Sequence, residues 1–307
     1  MISMHRIILD CDPGVDDAIA ILLALASPEI DLVGITTVVG NKPLELTTRN
    51  ALRILALAGR PRVPVHAGCA RLVMGPYGRR WPMVHGTDGL GDVLEIEPAR
   101  AAAPGHAVDF IIETVMANPG QITLCPVGPM TNIALAMIKE PGLAQAVRQI
   151  VFMGGVAFGP GNSSPNGEFN VLVDPEAAQI VLSSGAPLTM FGLDVTRKAR
   201  ILPQHVAALR GCANPVAQAI AAMLEAYAGG DPCLHDPCVI AHLVDPTLFA
   251  GVPAHVSVLC EPQAARGAMV AAVNPRHLDG RTPNCTVITE LDQERLFTLV
   301  LERLAAV

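Results

Sequence analysis

Aromatic residues make up only 3% of this 307-residue chain and charged residues only 16%, and Lys and Arg never gather into a run. With a formal net charge of −7, the chain lacks the cationic footprint and stacking platforms by which proteins hold DNA or RNA. Nucleic-acid polymers are therefore not expected as partners. No stretch reaches the roughly 18 unbroken apolar residues of a membrane span, and residues 1–6 run into a strand pattern rather than a secretory leader. A cytoplasmic protein without a membrane partner is expected. The eight cysteines (Cys11, Cys69, Cys125, Cys212, Cys233, Cys238, Cys260 and Cys285) show no C-x-x-C spacing. They sit mostly among apolar neighbours and read as buried, reduced thiols. Cys233 and Cys238 flank His235 and Asp236, but without paired-ligand spacing a zinc site there is disfavoured. Internal repeats and low-complexity segments are also missing, which leaves no candidate linker.

What is present is apolar. A hydrophobic fraction of 51% is enough for a large covered core, and one domain spanning 1–307 is the expectation for an α/β chain of this length. The same excess predicts apolar surface shared between subunits, as in a homodimer or homotetramer. Strand-like runs at 7–9, 32–39, 63–65, 122–125, 150–153 and 188–193 alternate with helical patterns at 44–58, 107–117, 133–138 and 176–182. Later strands are read at 256–260, 268–273 and 285–289, and a closing amphipathic helix at 292–306. Uniformly apolar strands joined by crossover helices predict an open, mainly parallel sheet flanked by helices. A (β/α)8 barrel is the alternative, weakly disfavoured by the irregular final third. Strand order is not readable from the sequence.

Asp10, Asp12, Asp16 and Asp17 fall between the apolar run 7–9 and the helix-like stretch 18–26, with Pro13-Gly14 as the turn. The helix macrodipole accounts for Asp16 and Asp17 at a helix start. It does not account for Asp10 and Asp12 on the strand side, where mutual repulsion needs an offsetting cation. An all-carboxylate set suits a hard ion such as calcium or magnesium better than zinc. Further polar residues follow the other strands: Asn41, the 127–132 turn, the 154–170 loop, Asp194 and His235-Asp236. In open α/β sheets, ligands bind at the carboxyl ends of strands, so these segments are expected to converge on one crevice.

L-D-C-D-P-G-V-D-D-A at 9–18 resembles the fingerprint of the calcium-dependent nucleoside hydrolases, which cleave the N-glycosidic bond of ribonucleosides. The resemblance continues through T-T-V-V-G-N (36–41), H-G-T-D-G-L-G (85–91), P-V-G-P-M-T-N-I-A (126–134) and M-G-G (153–155). It extends further through G-N-S-S-P-N-G-E-F-N (161–170), D-P-E-A-A (174–178), G-L-D-V-T (192–196) and H-D-P-C (235–238), nearly the whole chain in order. The resemblance implies a calcium ion held by Asp12, Asp17, Asp236 and the Val127 carbonyl, with Asp10 a ligand or a neighbour that steadies the cluster. Relatives often carry Thr where Val127 stands, but only the carbonyl is needed for coordination.

It implies Asp12 as general base. Such a reaction needs an activated water, stabilisation of an oxocarbenium-like carbon and a proton for the departing base. Asp16, Asn41, Asn162, Glu168 and Asn170 correspond to the ribose-binding set, although Asn in Gly-rich loops also caps turns. His235 would protonate the leaving base, as its pKa class allows, and His85 would line the same pocket from a loop. Asp174 before Pro175 reads as an N-cap. A longer helical arm with several Tyr, found in many relatives before H-D-P-C, is shortened here to 224–234, which leaves base preference open. Tyr77 and Trp81 are candidate base-stacking residues.

Two rival readings remain at this level. One is a magnesium phosphohydrolase using Asp10 and Asp12 as a D-x-D pair, although Pro13-Gly14 stand where that class carries a small hydroxyl residue. The other is a calcium-bound ribonucleoside-binding protein without turnover.

Overall fold

The computed structural model describes residues 4–76 and 83–307; Tyr77 and Trp81 lie outside the described residues. Among the described residues nine strands form one sheet: β1 (His5–Cys11), β2 (Ile30–Thr37), β3 (Val65–Ala67), β4 (Ile122–Pro126), β5 (Gln149–Met153), β6 (Leu188–Phe191), β7 (Phe249–Val258), β8 (Met269–Ala272) and β9 (Cys285–Leu291). Their order is β3-β2-β1-β4-β5-β6-β9-β7-β8. The pairings from β3 to β9 are parallel, and β7 and β8 close the edge antiparallel. The sheet is open, as expected, and the barrel alternative is corrected: β3 and β8 are its two edges rather than neighbours.

The parallel strands are apolar on both sides because helices cover both faces. Ile7 and Leu9 belong to one core cluster while Ile8, between them, belongs to the other, the alternation that a strand pleat imposes. The helix Val15–Ala26 is buried along most of its length against the helices Pro237–Val244 and Gln293–Ala305. Several boundaries differ from the sequence expectation. β7 begins well before residue 256, because Gly251 and Pro253 interrupt its apolar pattern without ending its pairing to β9. β6 ends at Phe191, and Leu193 opens a short helix instead. The helices Pro203–Arg210, Pro215–Ala228 and Pro237–Val244 lie in the irregular final third, where sequence periodicity marked only the closing helix, observed at Gln293–Ala305.

β1 and β4 are neighbours, yet β1 leads outward to β2 on its other side while β4 leads to β5. This reversal of winding opens a crevice beyond the carboxyl ends of β1 and β4, the position where such sheets bind ligands. Asp12 follows β1 and Val127 follows β4 at that point.

Candidate active site

Asp17 builds the turn out of β1. Its Oδ2 accepts from the Gly14 amide (2.9 Å) and its Oδ1 from the Asp12 amide (3.1 Å), so one carboxylate ties strand end to helix start. Asp12 is 1% exposed, and its Oδ2 accepts from the Asn41 amide at 2.5 Å. Its Oδ1 is buried without a hydrogen-bond partner. Space around it is tight: a Cβ at Gly40 would stand 2.0 Å from Asp12 Oδ2, and one at Gly128 would stand 2.4 Å from Oδ1. Both loops therefore need glycine to admit the carboxylate.

Asp10 lies one layer below. Its Oδ1 accepts from Thr36 Oγ1 (2.6 Å) and Asn132 Nδ2 (2.7 Å), and its carbonyl accepts from the Val127 amide (2.8 Å). Asp10 thus anchors the loop carrying Val127. It is wholly buried and does not line the cavity, unlike the nucleophile that a phosphohydrolase would need.

A cavity of about 300 Å³ opens above this layer, at the lower end of the size range of small-molecule sites. Asp16, Asn41, Val127, Asp236 and Asn170 line it, as do His85, Asn162, Glu168, Tyr227, Asp231 and His235. Asp12, Asp17 and Asp10 are not among its lining residues. Among the described lining residues there is no Lys or Arg to offset the acids.

Asp16, Asp17 and Asp236 each bring a carboxylate oxygen within 4.8 Å of the others. Asp16, assigned above to ribose alone, thus joins the group able to hold a cation, while Asp12 stands beside it. Burial and repulsion from Asp16 push the Asp17 carboxyl up to about 7. Burial and the Asp17 charge hold Asp12 well above the ordinary carboxylate range, and burial with the charge of Asp16 does the same to Asp236. Burial also raises Asp10 to about 7 against its two hydrogen bonds. A buried all-oxygen set that repels itself, with an orphaned oxygen on Asp12, fits a hard divalent ion. The zinc alternative fails on geometry: Cys233 Sγ faces the Arg197 carbonyl and Cys238 Sγ the Leu234 carbonyl.

The polar wall is largely self-satisfied. Glu168 is an N-cap whose carboxylate takes the amides of Gly155 (2.6 Å), Asn170 (2.9 Å) and Val171 (3.2 Å), while burial still raises its pKa. Asn170 Nδ2 donates to the carbonyls of Val127 (2.7 Å) and Met153 (3.2 Å). Asn41 Nδ2 reaches the Asp12 carbonyl (3.3 Å) and Asp17 Oδ2 (3.4 Å). Asn162 Oδ1 accepts from the Phe169 amide (3.1 Å). Asp174 caps its helix at the Ala177 amide (3.3 Å) as expected, and also binds Thr131 and Val73. Asp194 accepts from the amides of Ala157 and Phe158 and holds that loop.

Two histidines occupy the opposite wall. His85 Nδ1 accepts from the Val15 amide (3.2 Å), so the proton of the neutral ring is on Nε2. Its 3.9 Å approach to Asp16 is accordingly no ion pair, and burial holds its pKa below the usual value. Its ring stacks on Tyr227, with centroids 5.2 Å apart and planes at 13°. His235 is held at both nitrogens, Nδ1 by Thr196 Oγ1 (2.8 Å) and Nε2 by Asp231 Oδ2 (3.1 Å). Burial pulls its pKa down, but the hydrogen bond and charge of Asp231 prevail and keep it raised.

Tyr227 and Asp231 were not assigned to the site from sequence. The four-residue offset of Asp231 from His235 carries meaning only once the chain is seen to turn after the helix Pro215–Ala228.

An open α/β sheet with a carboxylate-floored, histidine-lined cavity at its winding reversal is suited to holding a cation beside a small polar molecule. The family described as inosine-uridine preferring nucleoside hydrolase matches residues 7–298, and the chain belongs to that family. It is 41% identical over 312 residues to the pyrimidine-specific ribonucleoside hydrolase RihA of Photobacterium profundum, covering 97% of this chain and 98% of that one. Among solved structures, a plant nucleoside hydrolase superposes with a TM-score of 0.94 at 32% identity, covering 99% of both chains. A purine-preferring ribonucleoside hydrolase from Gardnerella vaginalis gives 0.90 at 36%, covering 98% of both. The chain is thus an enzyme of N-glycosyl bond hydrolysis, which sets aside the phosphohydrolase and the binding-only readings. No helix among the described residues is long and apolar enough to cross a membrane.

Proposed function

We propose that this chain, acting as one catalytic unit over 1–307, hydrolyses ribonucleosides to ribose and free base with calcium as its metal and Asp12 as general base. The observation that carries the reading is the buried, all-oxygen cluster Asp16, Asp17 and Asp236 beside Asp12, beneath a wall with two histidines. Oxygen donors without Cys or His favour calcium over zinc. When bound, the ion offsets the carboxylates and lowers the pKa of the water it holds.

Asp17, Asp236 and the Val127 carbonyl would hold the ion, with Asp12 and, from the ribose side, Asp16 contributing and Asp10 bracing the layer below. Asp12 takes the proton of the attacking water on the oxygen left without a partner, while the Asn41 amide fixes the other. Asp16, Asn41, Asn162, Glu168 and Asn170 orient the ribose. His235 gives a proton to the departing base, and His85 lines the same part of the cavity with its N–H on Nε2. The eight cysteines, none in a disulfide, suit a reducing compartment such as the cytoplasm. Assembly as a homodimer or homotetramer is read directly by light scattering.

Incubation with a panel of ribonucleosides is expected to release free base, detected by chromatography, with activity lost to a chelator and restored by calcium. Intact nucleosides throughout would overturn the reading. A second outcome concerns stability. The Asp17 carboxyl, near 3.8 unfolded and at about 7 folded, binds more protons in the folded chain between those values. Its contribution to metal-free stability is therefore lost as pH rises towards about 7, and calcium, which needs ionised ligands, offsets that loss. The calcium-induced rise in Tm is expected to be larger at about pH 8 than at about pH 5. A rise no larger at the higher pH would place the ion away from these acids.

A further inference from the structure

Family membership leaves the base open, since one relative is named pyrimidine-specific and another purine-preferring. The part of the cavity away from the carboxylate floor is walled by the end of the helix Pro215–Ala228 and the turn after it, facing Val84 and His85. Gly230 lets this turn close on the opposite loop: a Cβ there would stand 2.8 Å from Val84 Cγ2. The next residue is Asp231, a carboxylate that lines the cavity with its side chain still 29% exposed.

Asp231 has acceptor capacity to spare. Its Oδ2 bonds His235 Nε2 (3.1 Å) and its Oδ1 accepts from the Cys233 amide (3.2 Å). A carboxylate offers about four lone-pair positions, so two remain. Glu168, the other acid on the wall, has three backbone amides on its oxygens and less left to offer. Burial tends to raise Asp231, but the hydrogen bond and charge of His235 outweigh it and hold the carboxyl below its ordinary range. An ionised carboxylate accepts and never donates. His85, stacked on Tyr227, lines the same part of the cavity and carries its N–H donor on Nε2. Donor and acceptor together match a base edge that places a carbonyl or ring nitrogen next to an N–H.

We propose that Asp231 is a specificity-determining residue, accepting a hydrogen bond from an N–H of the departing base and rejecting bases that present only lone pairs to it. The proposal rests on the ribonucleoside hydrolase reading given above. Uridine and inosine carry such an N–H. 3-Methyluridine lacks it by methylation, and purine riboside lacks it without added bulk. A hydrogen bond to a charged acceptor, and the cost of leaving that acceptor facing a lone pair, correspond to roughly tenfold or more in kcat/KM.

The test compares kcat/KM of wild type and Asp231→Ala on uridine against 3-methyluridine, inosine against purine riboside, and nitrophenyl riboside. Wild type is expected to favour uridine and inosine by about tenfold or more, and Asp231→Ala to shrink both ratios towards one, losing most on the N–H substrates. Asp231→Asn, which keeps the size with a neutral acceptor, is expected to fall between and serves if the alanine variant does not fold. Equal losses on both members of each pair would reduce Asp231 to a positioning residue for His235 and overturn the proposal, as would ratios that do not change. Failure of wild type to cleave any riboside, nitrophenyl riboside included, would overturn the hydrolase reading and this proposal with it.

Discussion

2′-Deoxyinosine and 2′-deoxyuridine are expected to be cleaved with kcat/KM lower than that of inosine and uridine by a factor on the order of ten thousand. Asn162 is exposed, but the other groups assigned to ribose are almost fully buried: Asp16 is 6% exposed, Asn41 and Asn170 7%, and Glu168 2%. Water does not readily replace a missing hydroxyl there, so its absence strands polar atoms that have paid their desolvation already. The internal bonds of the wall refine the expectation. Glu168 and much of Asn170 are occupied with backbone and Asn162 is exposed, so the discrimination falls chiefly on Asp16 and Asn41. It should persist when the base is changed, because Tyr227, Asp231 and the histidines belong to the other wall. Comparable rates within either ribo/deoxy pair would remove these residues from ribose recognition.

Asp12→Asn is expected to lower kcat by about 100-fold or more, the usual scale for a general base, with the fold intact. The amide has nearly the same volume, which matters where Gly40 and Gly128 already close on the carboxylate. Its oxygen keeps the Asn41 amide, which places the NH2 where Asp12 Oδ1 now has no partner. That NH2 donates and takes no proton from water. Burial and the Asp17 charge disfavour the ionised Asp12 in the metal-free chain, so removing its charge should leave the metal-free Tm level or higher. Steady-state kinetics with saturating calcium, beside thermal melts with and without the ion, separate chemistry from folding. Turnover near wild type would leave Asp12 only a neighbour of the metal cluster.

The legibility of this chain varied with the distance over which its signals act. The βαβ rhythm could be read because strands covered on both faces are continuously apolar and crossover helices repeat every 3.6 residues. The signal failed at β7, where Gly251 and Pro253 break the apolar run although the backbone still pairs, and across the Pro-started helices of the final third. Asp174 was legible as a cap because a cap is a local contact with the Ala177 amide. Glu168 was less so. Its spacing in G-E-F-N pointed to substrate, whereas its geometry adds a structural duty that depends on Gly155 lying beside it.

By itself the sequence determined the sheet class, the acid-bearing turn after β1 and the family, since each depends on residues close in the chain or on motifs met in order. Tertiary structure alone decided the strand order, and with it the winding reversal that brings Val127 to Asp10 and Asp12. It also decided that Asp16 rather than Asp12 completes the close carboxylate group, that Val15 fixes the tautomer of His85, and that Asp231 reaches His235 at the cavity wall. These are outcomes of which lone pairs and protons face each other across packed elements. Such pairings depend on the angles and separations that packing imposes, and a one-dimensional pattern does not encode them directly.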